Sequence, residues 1–373
     1  MSHKILAAGH ICLDITPVFP EGKRYDRVDE VLVPGKMIHI RDADIHTGGS
    51  AANTGLALKL MGNDVRVMGK IGDDAFGRMV AKIVGGYGAE GLLVDEQAAT
   101  SYTLVMALPG LDRFFLNCPG ANDTFSQADI GDGDLDGVTL FHFGYPQLMR
   151  RMYEDGGREL EALFRRARAR GVATSLDYAA IDPNADVGKA DWPAITRRVM
   201  PWVDFFVPSF EEICYILDRE RYDRLAARGG DMTAGLDVRA EAEPLADALL
   251  AMGCRVVLIK CGVSGMFYKT AGAEALAAIG GGLALRPEDW AEKSGVQPCY
   301  QADIVRSATG AGDVSIAAFL TAMLRGYPVD ACASLAAAEG ACAVTSYDAL
   351  GGIRPLEELE ERLAAGWERS GQA

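Results

Sequence analysis

The chain has 373 residues, 49% hydrophobic and 24% charged, the balance of an ordinary folded protein large enough to bury a core without staples. Its 37 basic and 52 acidic side chains leave a net charge of −15, which argues against nucleic acid and acidic membrane surfaces as partners. The eight cysteines are scattered and form no CxxC pair, which disfavours zinc and suits a reducing compartment.

Residues 1–11 contain no long apolar stretch, and no run of about 18 apolar residues follows; no signal peptide or membrane span is read, and a cytoplasmic protein is expected. Residues 4–8 predict a first buried strand. Residues 21–47 are polar and alternate at Val31 and Val33 and again at Met37, Ile38 and Ile40, which predicts strands with one buried face. Ala52, Leu56 and Leu60 share a helical face over 51–61, and Gly62 suits the position just past its end. A strand over 65–69 follows. Asp73 and Asp74 can cap a helix carrying Phe76, Val80 and Ile83. Residues 101–116 return to the half-polar pattern. The stretches of about 16–47 and 98–120 are therefore expected to pair into a small β-sheet lid.

Beyond Gly120, strands over 138–143, 172–176, 203–207 and 255–259 alternate with helices over 158–170, 210–217 and 245–252. That alternation predicts an α/β fold with a mostly parallel sheet, helices on both faces, and ligands at the carboxyl ends of the strands. With no internal repeat or low-complexity linker, residues 1–373 read as one domain plus the lid. Residues 280–301, Gly-rich at their start and containing Trp290, read as a surface excursion.

Two glycine constellations carry chemistry. Ala308-Thr309-Gly310-Ala311-Gly312-Asp313 precedes an apolar helix pattern of Ile316, Phe319, Leu320, Met323 and Leu324, ended by Gly326 and Pro328. Gly310 and Gly312 let backbone N–H groups approach a ligand, and the helix start favours an anion. A carboxylate there would repel a phosphate it merely bound, so Asp313 makes sense as a base beside the anion. The plainer alternative is a tight turn capped by Asp313. Gly48-Gly49-Ser50-Ala51-Ala52-Asn53 opens a helix of small residues whose Asn53 can donate to and accept from a hydroxyl. Close helix–sheet packing is the alternative there.

Taken in order, Gly48 to Asn53, then Gly69-Lys70-Ile71-Gly72-Asp73-Asp74-Ala75-Phe76-Gly77, then Ala308 to Asp313 resemble the signature of the ribokinase-like (PfkB) carbohydrate kinases over nearly the whole chain, from Ile5 to about Leu359. The resemblance implies a ribokinase-like α/β fold with a β lid, and phosphorylation of a sugar hydroxyl by ATP with Mg²⁺. It implies Asp313 as general base and Gly310, Ala311 and Gly312 as the anion hole. It implies Asp14, Gly48, Gly49 and Asn53 as sugar ligands. Pro208-Ser209-Phe210-Glu211-Glu212 resembles a segment that orders Mg²⁺ through water, with Glu212 on the Glu position and Ser209 in place of Asn. Lys260-Cys261-Gly262-Val263-Ser264-Gly265 resembles the turn beneath ATP. It assigns Lys260, Gly262 and Gly265 to the nucleotide, with Thr309 beside them; a plain hairpin turn is the alternative. Residues 336–351 resemble the helix and loop that flank adenine. Many relatives carry Asp-Thr where this chain has Ser307-Ala308, so K⁺ activation is not expected.

Asn122, in a Gly-Ala-Asn turn, and Asp177, at a strand's end, are further substrate candidates. Arg113 suits a carboxylate or phosphate and would read an acid sugar, although an exposed strand charge is the commoner case. His10, near Asp14, reads as a packed or solvated histidine that can also line the pocket. A nucleoside kinase would instead stack its substrate on Tyr102, Phe114 or Phe115. A binding protein without catalysis is the reading that Asp313 and its glycines oppose. A lid with an exposed apolar face makes a homodimer an expectation.

Overall fold

The structure, a computed structural model, describes residues 3–20, 22, 24–111, 113–283 and 285–370. Met1 and Ser2 of the N-terminal stretch, Glu21, Lys23 and Asp112 of the expected lid, Ala284 of the expected excursion and residues 371–373 lie outside them.

Among the described residues, eight strands form the main sheet, in the order Ser294–Gln297, Met266–Thr270, Val256–Lys260, Phe205–Phe206, Ala173–Asp177, Leu140–Gly144, Lys4–Gly9 and Asp64–Met68. The six from Val256–Lys260 onward are parallel, and the first two add antiparallel. Every residue of Leu140–Gly144 and Ala173–Asp177 is buried, as expected of parallel strands covered on both faces.

One apolar layer joins the sheet to the helices Ser50–Leu60, Ala311–Leu324 and Val329–Ala343. The other joins it to Arg158–Ala169, Trp192–Val199, Phe210–Leu217 and Val238–Ala251. This last helix starts seven residues before the expected 245, because Asp237 caps it through Ala240 N–H (3.1 Å) and Pro244 is accommodated inside. The stretch 280–301 is less peripheral than the sequence suggested. Trp290 is 1% exposed, and Ser294–Gln297 is the sheet's edge strand.

The stretches expected to form a lid give a separate four-stranded sheet, in the order Asp42–Gly48, Cys12–Val18, Tyr102–Met106 and Phe114–Cys118. Its second half follows the sequence reading. The first half follows it only at Asp42–Gly48. The strand begins at Cys12, and residues 31–40 form no strand. Met37 is 84% exposed, so the alternation there has no sheet to face.

Val329–Ala343 buries a carboxyl group, that of Glu339, on which the Arg354 N–H is the one donor among the described residues, at 3.3 Å. Burial raises its pKa to about 8. Between the unfolded value near 4.5 and 8, the folded chain holds a proton that the unfolded chain releases, so stability falls as pH rises through that window. Glu339→Gln mimics the neutral acid. It is expected to raise Tm by about 2–4 °C at pH 8.5 and to leave it unchanged near pH 4.5, read by thermal melts at both pH values.

Candidate active site

The chain leaves Lys4–Gly9, builds the small sheet and the edge strand Asp64–Met68, then returns on the other side of Lys4–Gly9 through Leu140–Gly144. That reversal makes a crevice at the carboxyl ends of these strands, where open α/β sheets bind ligands. His10, Tyr145, Asp177, Ser209 and Lys260 all stand at those ends.

Two helices of small residues meet at the crevice. Ser50–Leu60 buries nine of its eleven residues, and Ala311–Leu324 buries all but its first two. Their sides pack directly, with Asn63 Nδ2 donating to Thr321 Oγ1 (2.8 Å) at the far ends. At the near ends Asn53 Nδ2 donates to Asp313 Oδ2 (2.9 Å) and Thr54 Oγ1 to Asp313 Oδ1 (3.2 Å). The two glycine motifs, 260 residues apart in sequence, are thus one constellation. Gly49 (φ 86°) and Gly310 (φ 75°) occupy positive φ at the starts of the two helices, a conformation that a Cβ penalises. A side chain on Gly49 would also meet the His10 carbonyl at 2.4 Å, and one on Gly310 would meet Ala349 Cβ at 2.2 Å.

Asp313 is 2% exposed. A third donor, the Tyr145 hydroxyl, sits 2.9 Å from both of its oxygens. Tyr145 holds φ 64° although it is neither glycine nor asparagine. It also precedes Pro146, which ordinarily favours extended backbone. Its own N–H is tied to the Asp177 carbonyl at 3.1 Å. Burial raises the Asp313 pKa, while Asn53, Lys260, Tyr145 and Thr54 pull it back. Neither Tyr145 nor Thr54 carries motif spacing. The carboxyl-end rule that singled out Asp177 applies equally to Tyr145.

The loop 305–309 separates two cavities. The first, about 390 Å³, lies against the small sheet and is lined by Asp14, Thr47, Asn53, Arg113, Arg306, Thr309 and Tyr347, among others. The second, about 440 Å³, is lined by Ser209, Glu211, Lys260, Gly262, Gly265, Ala311 and Gly312, among others. Asp313 lies in the first turn of Ala311–Leu324, whose Gly312 and Ala311 face the second cavity, and holds Asn53, which faces the first.

Most of the sequence candidates fall on these walls. Asp14 lines the first cavity and packs against Gly48 so closely that a Cβ there would meet its Oδ2 at 2.2 Å. Burial raises the Asp14 pKa. Gly262 and Gly265 form the turn between Val256–Lys260 and Met266–Thr270, so the hairpin and the cavity wall are the same feature. Thr309 lines the first cavity rather than the second, apart from Lys260, Gly262 and Gly265, with which the resemblance groups it. Three others are spent elsewhere. Asn122 is fully buried, with its amide bonded both ways to the Ile11 backbone (2.8 and 3.1 Å). Asp177 is 1% exposed and ion-paired to Lys260 (2.8 Å). Glu212 closes a capping box on Ser209 N–H (2.8 Å), and its neighbour Glu211 faces the cavity instead.

Lys260 is the cation of this centre. Burial pulls its pKa down, but Asp177 and Glu212 outweigh that and hold it charged. His10 is buried with neither ring nitrogen bonded, and burial lowers its pKa to about 4. It is a packed neutral histidine.

The architecture is that of the ribokinase-like α/β proteins. Over 97% of this chain it superposes on 99% of the ribokinase of Arabidopsis thaliana, solved with ribose and ATP, with a TM-score of 0.69 at 18% identity. The ATP-bound fructokinase of Xylella fastidiosa gives a TM-score of 0.70 at 19% identity, over 98% of this chain and 99% of that one. Residues 11–354 match the model of the pfkB family carbohydrate kinases, and the chain belongs to that family. In sequence it is 27% identical to Fructokinase-2 of Oryza sativa subsp. japonica over 183 residues, 47% of this chain and 52% of that protein. The match thus spans about half the length of that relative. Fructokinase-2 of Solanum lycopersicum is 32% identical over 101 residues, 26% of this chain and 31% of the other.

Among the described residues no helix is long and apolar enough to cross a membrane, and no group of three or more His, Cys, Asp or Glu is placed to hold a metal ion.

Proposed function

We infer that this protein phosphorylates a hydroxyl of a small sugar-like acceptor with ATP, Asp313 being the general base. The observation that carries the reading is the pair of cavities on either side of Asp313, whose partner Asn53 lines the first and whose helix neighbour Gly312 lines the second. The first would hold the acceptor, with Asp14 and Asn53 on its hydroxyls. The second would hold ATP, which supplies the phosphoryl group. Gly310, Ala311 and Gly312 would turn backbone N–H groups and a helix start toward charge developing on that group. Lys260 lies against Gly312, since a Cβ there would stand 3.7 Å from its Nζ. Mg²⁺ ordinarily keeps several waters and relies on substrate phosphates plus one or two carboxylates. Glu211 on the cavity wall and Glu212 behind it fit that supporting role. Lid closure over the acceptor would exclude water.

Asp313 lines neither cavity while Tyr145, Asn53 and Thr54 surround it. An acceptor hydroxyl would therefore take the place of one of these donors on the carboxylate. A nucleoside acceptor is less supported. Tyr102 packs edge-on against Phe76, Phe114 joins the lid's own cluster, and Phe115 is 56% exposed.

The base must be ionised, so activity falls as pH drops through the Asp313 pKa. Because burial raises that pKa, the acid limb of kcat/KM is expected above the ordinary carboxylate value near 4. Tyr145→Phe removes a donor that favours the ionised form and should move the limb higher still. An acid limb at or below 4 in both forms contradicts the assignment. The reading as a whole is tested by ADP release from Mg·ATP across neutral sugars, sugar acids, sugar phosphates and nucleosides. Acceptor-dependent release with a sugar-like compound is expected, and release with nucleosides alone overturns it.

A further inference from the structure

We propose that the acceptor carries an anionic group, a carboxylate or a phosphate, gripped by Arg113 and Arg306; this rests on the kinase reading above. Both arginines line the first cavity together with Asp14 and Asn53. Arg113 donates through Nη1 to two neutral hydroxyls, Ser307 Oγ (3.1 Å) and Thr309 Oγ1. The Arg306 guanidinium lies over the Tyr347 ring, 5.5 Å from its centre. Among the described residues neither has a carboxylate within ion-pair reach, so most of their N–H donors remain available.

The carboxylates of the same cavity stand differently. Asp44 pairs with His46 (3.3 Å), and Asp348 accepts from Leu350 N–H (2.8 Å) and Gly351 N–H (2.5 Å). Asp14 accepts the Cys12 thiol (3.2 Å). These carboxylates already have hydrogen-bond donors of their own, whereas the two arginines of the cavity meet only neutral groups among the described residues. Guanidinium forks match carboxylate and phosphate oxygens two at a time. In a chain of net charge −15 the long-range field does not attract an anion, so recognition has to come from such local donors.

The position also separates acceptor from nucleotide. Arg113 and Arg306 do not line the second cavity, although their neighbours Val305 and Ala308 line both. Within the lid, Asp14 pairs with Thr103 and Thr103 with Asn117, four residues beyond Arg113. The arginine's backbone is therefore roughly 13 Å along the sheet from the hydroxyl-binding end, and its side chain leans back to the 307–309 loop. An extended acceptor would lie between the two, hydroxyls at one end and anion at the other.

The test compares D-fructose, D-gluconate, D-glucuronate and D-fructose 6-phosphate, in turnover with Mg·ATP and in calorimetric binding without it. At least one charged compound is expected to exceed fructose by tenfold or more in kcat/KM, and whether it is an acid or the phosphate names the group. Arg113→Ala and Arg306→Ala should each lower that value by about 10- to 100-fold, mainly through KM. Arg113→Lys should recover only part, and the KM for ATP should stay unchanged. Fructose bound as well as every charged compound, or a variant that raises the KM of ATP alone, overturns the inference. If no compound is turned over, it is the kinase reading that fails. Binding then still decides this proposal: an anion that binds and weakens in both variants supports it, and no anion bound at millimolar concentration refutes it.

Discussion

Replacing Asp313 with Ala is expected to lower kcat by about 10²–10⁴-fold, the usual worth of a positioned general base, while acceptor and ATP still bind. The carboxylate takes donors from Asn53, Thr54 and Tyr145 within 2.9–3.2 Å, and only its charge can accept a further proton. The side chain is buried at a helix start, and burial already disfavours its charge. Its removal therefore should not unfold the chain, which circular dichroism would check. A proportional loss of binding would instead mean that Asp313 holds the acceptor rather than activating it.

The second large effect concerns stability. Lys260→Met leaves Asp177, 1% exposed, without its partner at 2.8 Å, and takes the positive charge from beside Glu212 and Asp313. Breaking a buried pair in this way costs about 3–5 kcal/mol, visible as a lowered denaturant midpoint. Adding Asp177→Asn should recover much of that loss, because the stranded charge is then gone, while the activity stays low. Equal midpoints for wild type and Lys260→Met would show that the pair is not buried in solution.

The main sheet was legible because parallel strands covered on both faces are uninterrupted apolar runs, as in Leu140–Gly144 and Val256–Lys260. The lid was harder. Cys12–Val18 has a polar face and contains Asp14, Thr16 and Pro17, so it reads like a loop. Residues 31–40 alternate like a strand yet stay a loop, because the alternation has no neighbouring strand to bond. In the site, Asp313 and Asn53 were legible because glycines at fixed offsets mark both helix starts. Tyr145 was not, since its role comes from an αL backbone at a strand end, and neither composition nor spacing records that. Asp177, Asn122 and Glu212 sit where the sequence placed them along the chain, but their side chains turn inward to Lys260, Ile11 and Ser209. Only packing reveals which way a polar group at a strand or helix end faces.

The most direct measurement is mass spectrometry of the acceptor pool after incubation with Mg·ATP, wild type beside Asp313→Asn, with ATP binding to both verified by calorimetry. A phosphorylated acceptor is expected with the wild type and almost none with the variant, at comparable ATP affinity. Equal product from both proteins would contradict the base role of Asp313.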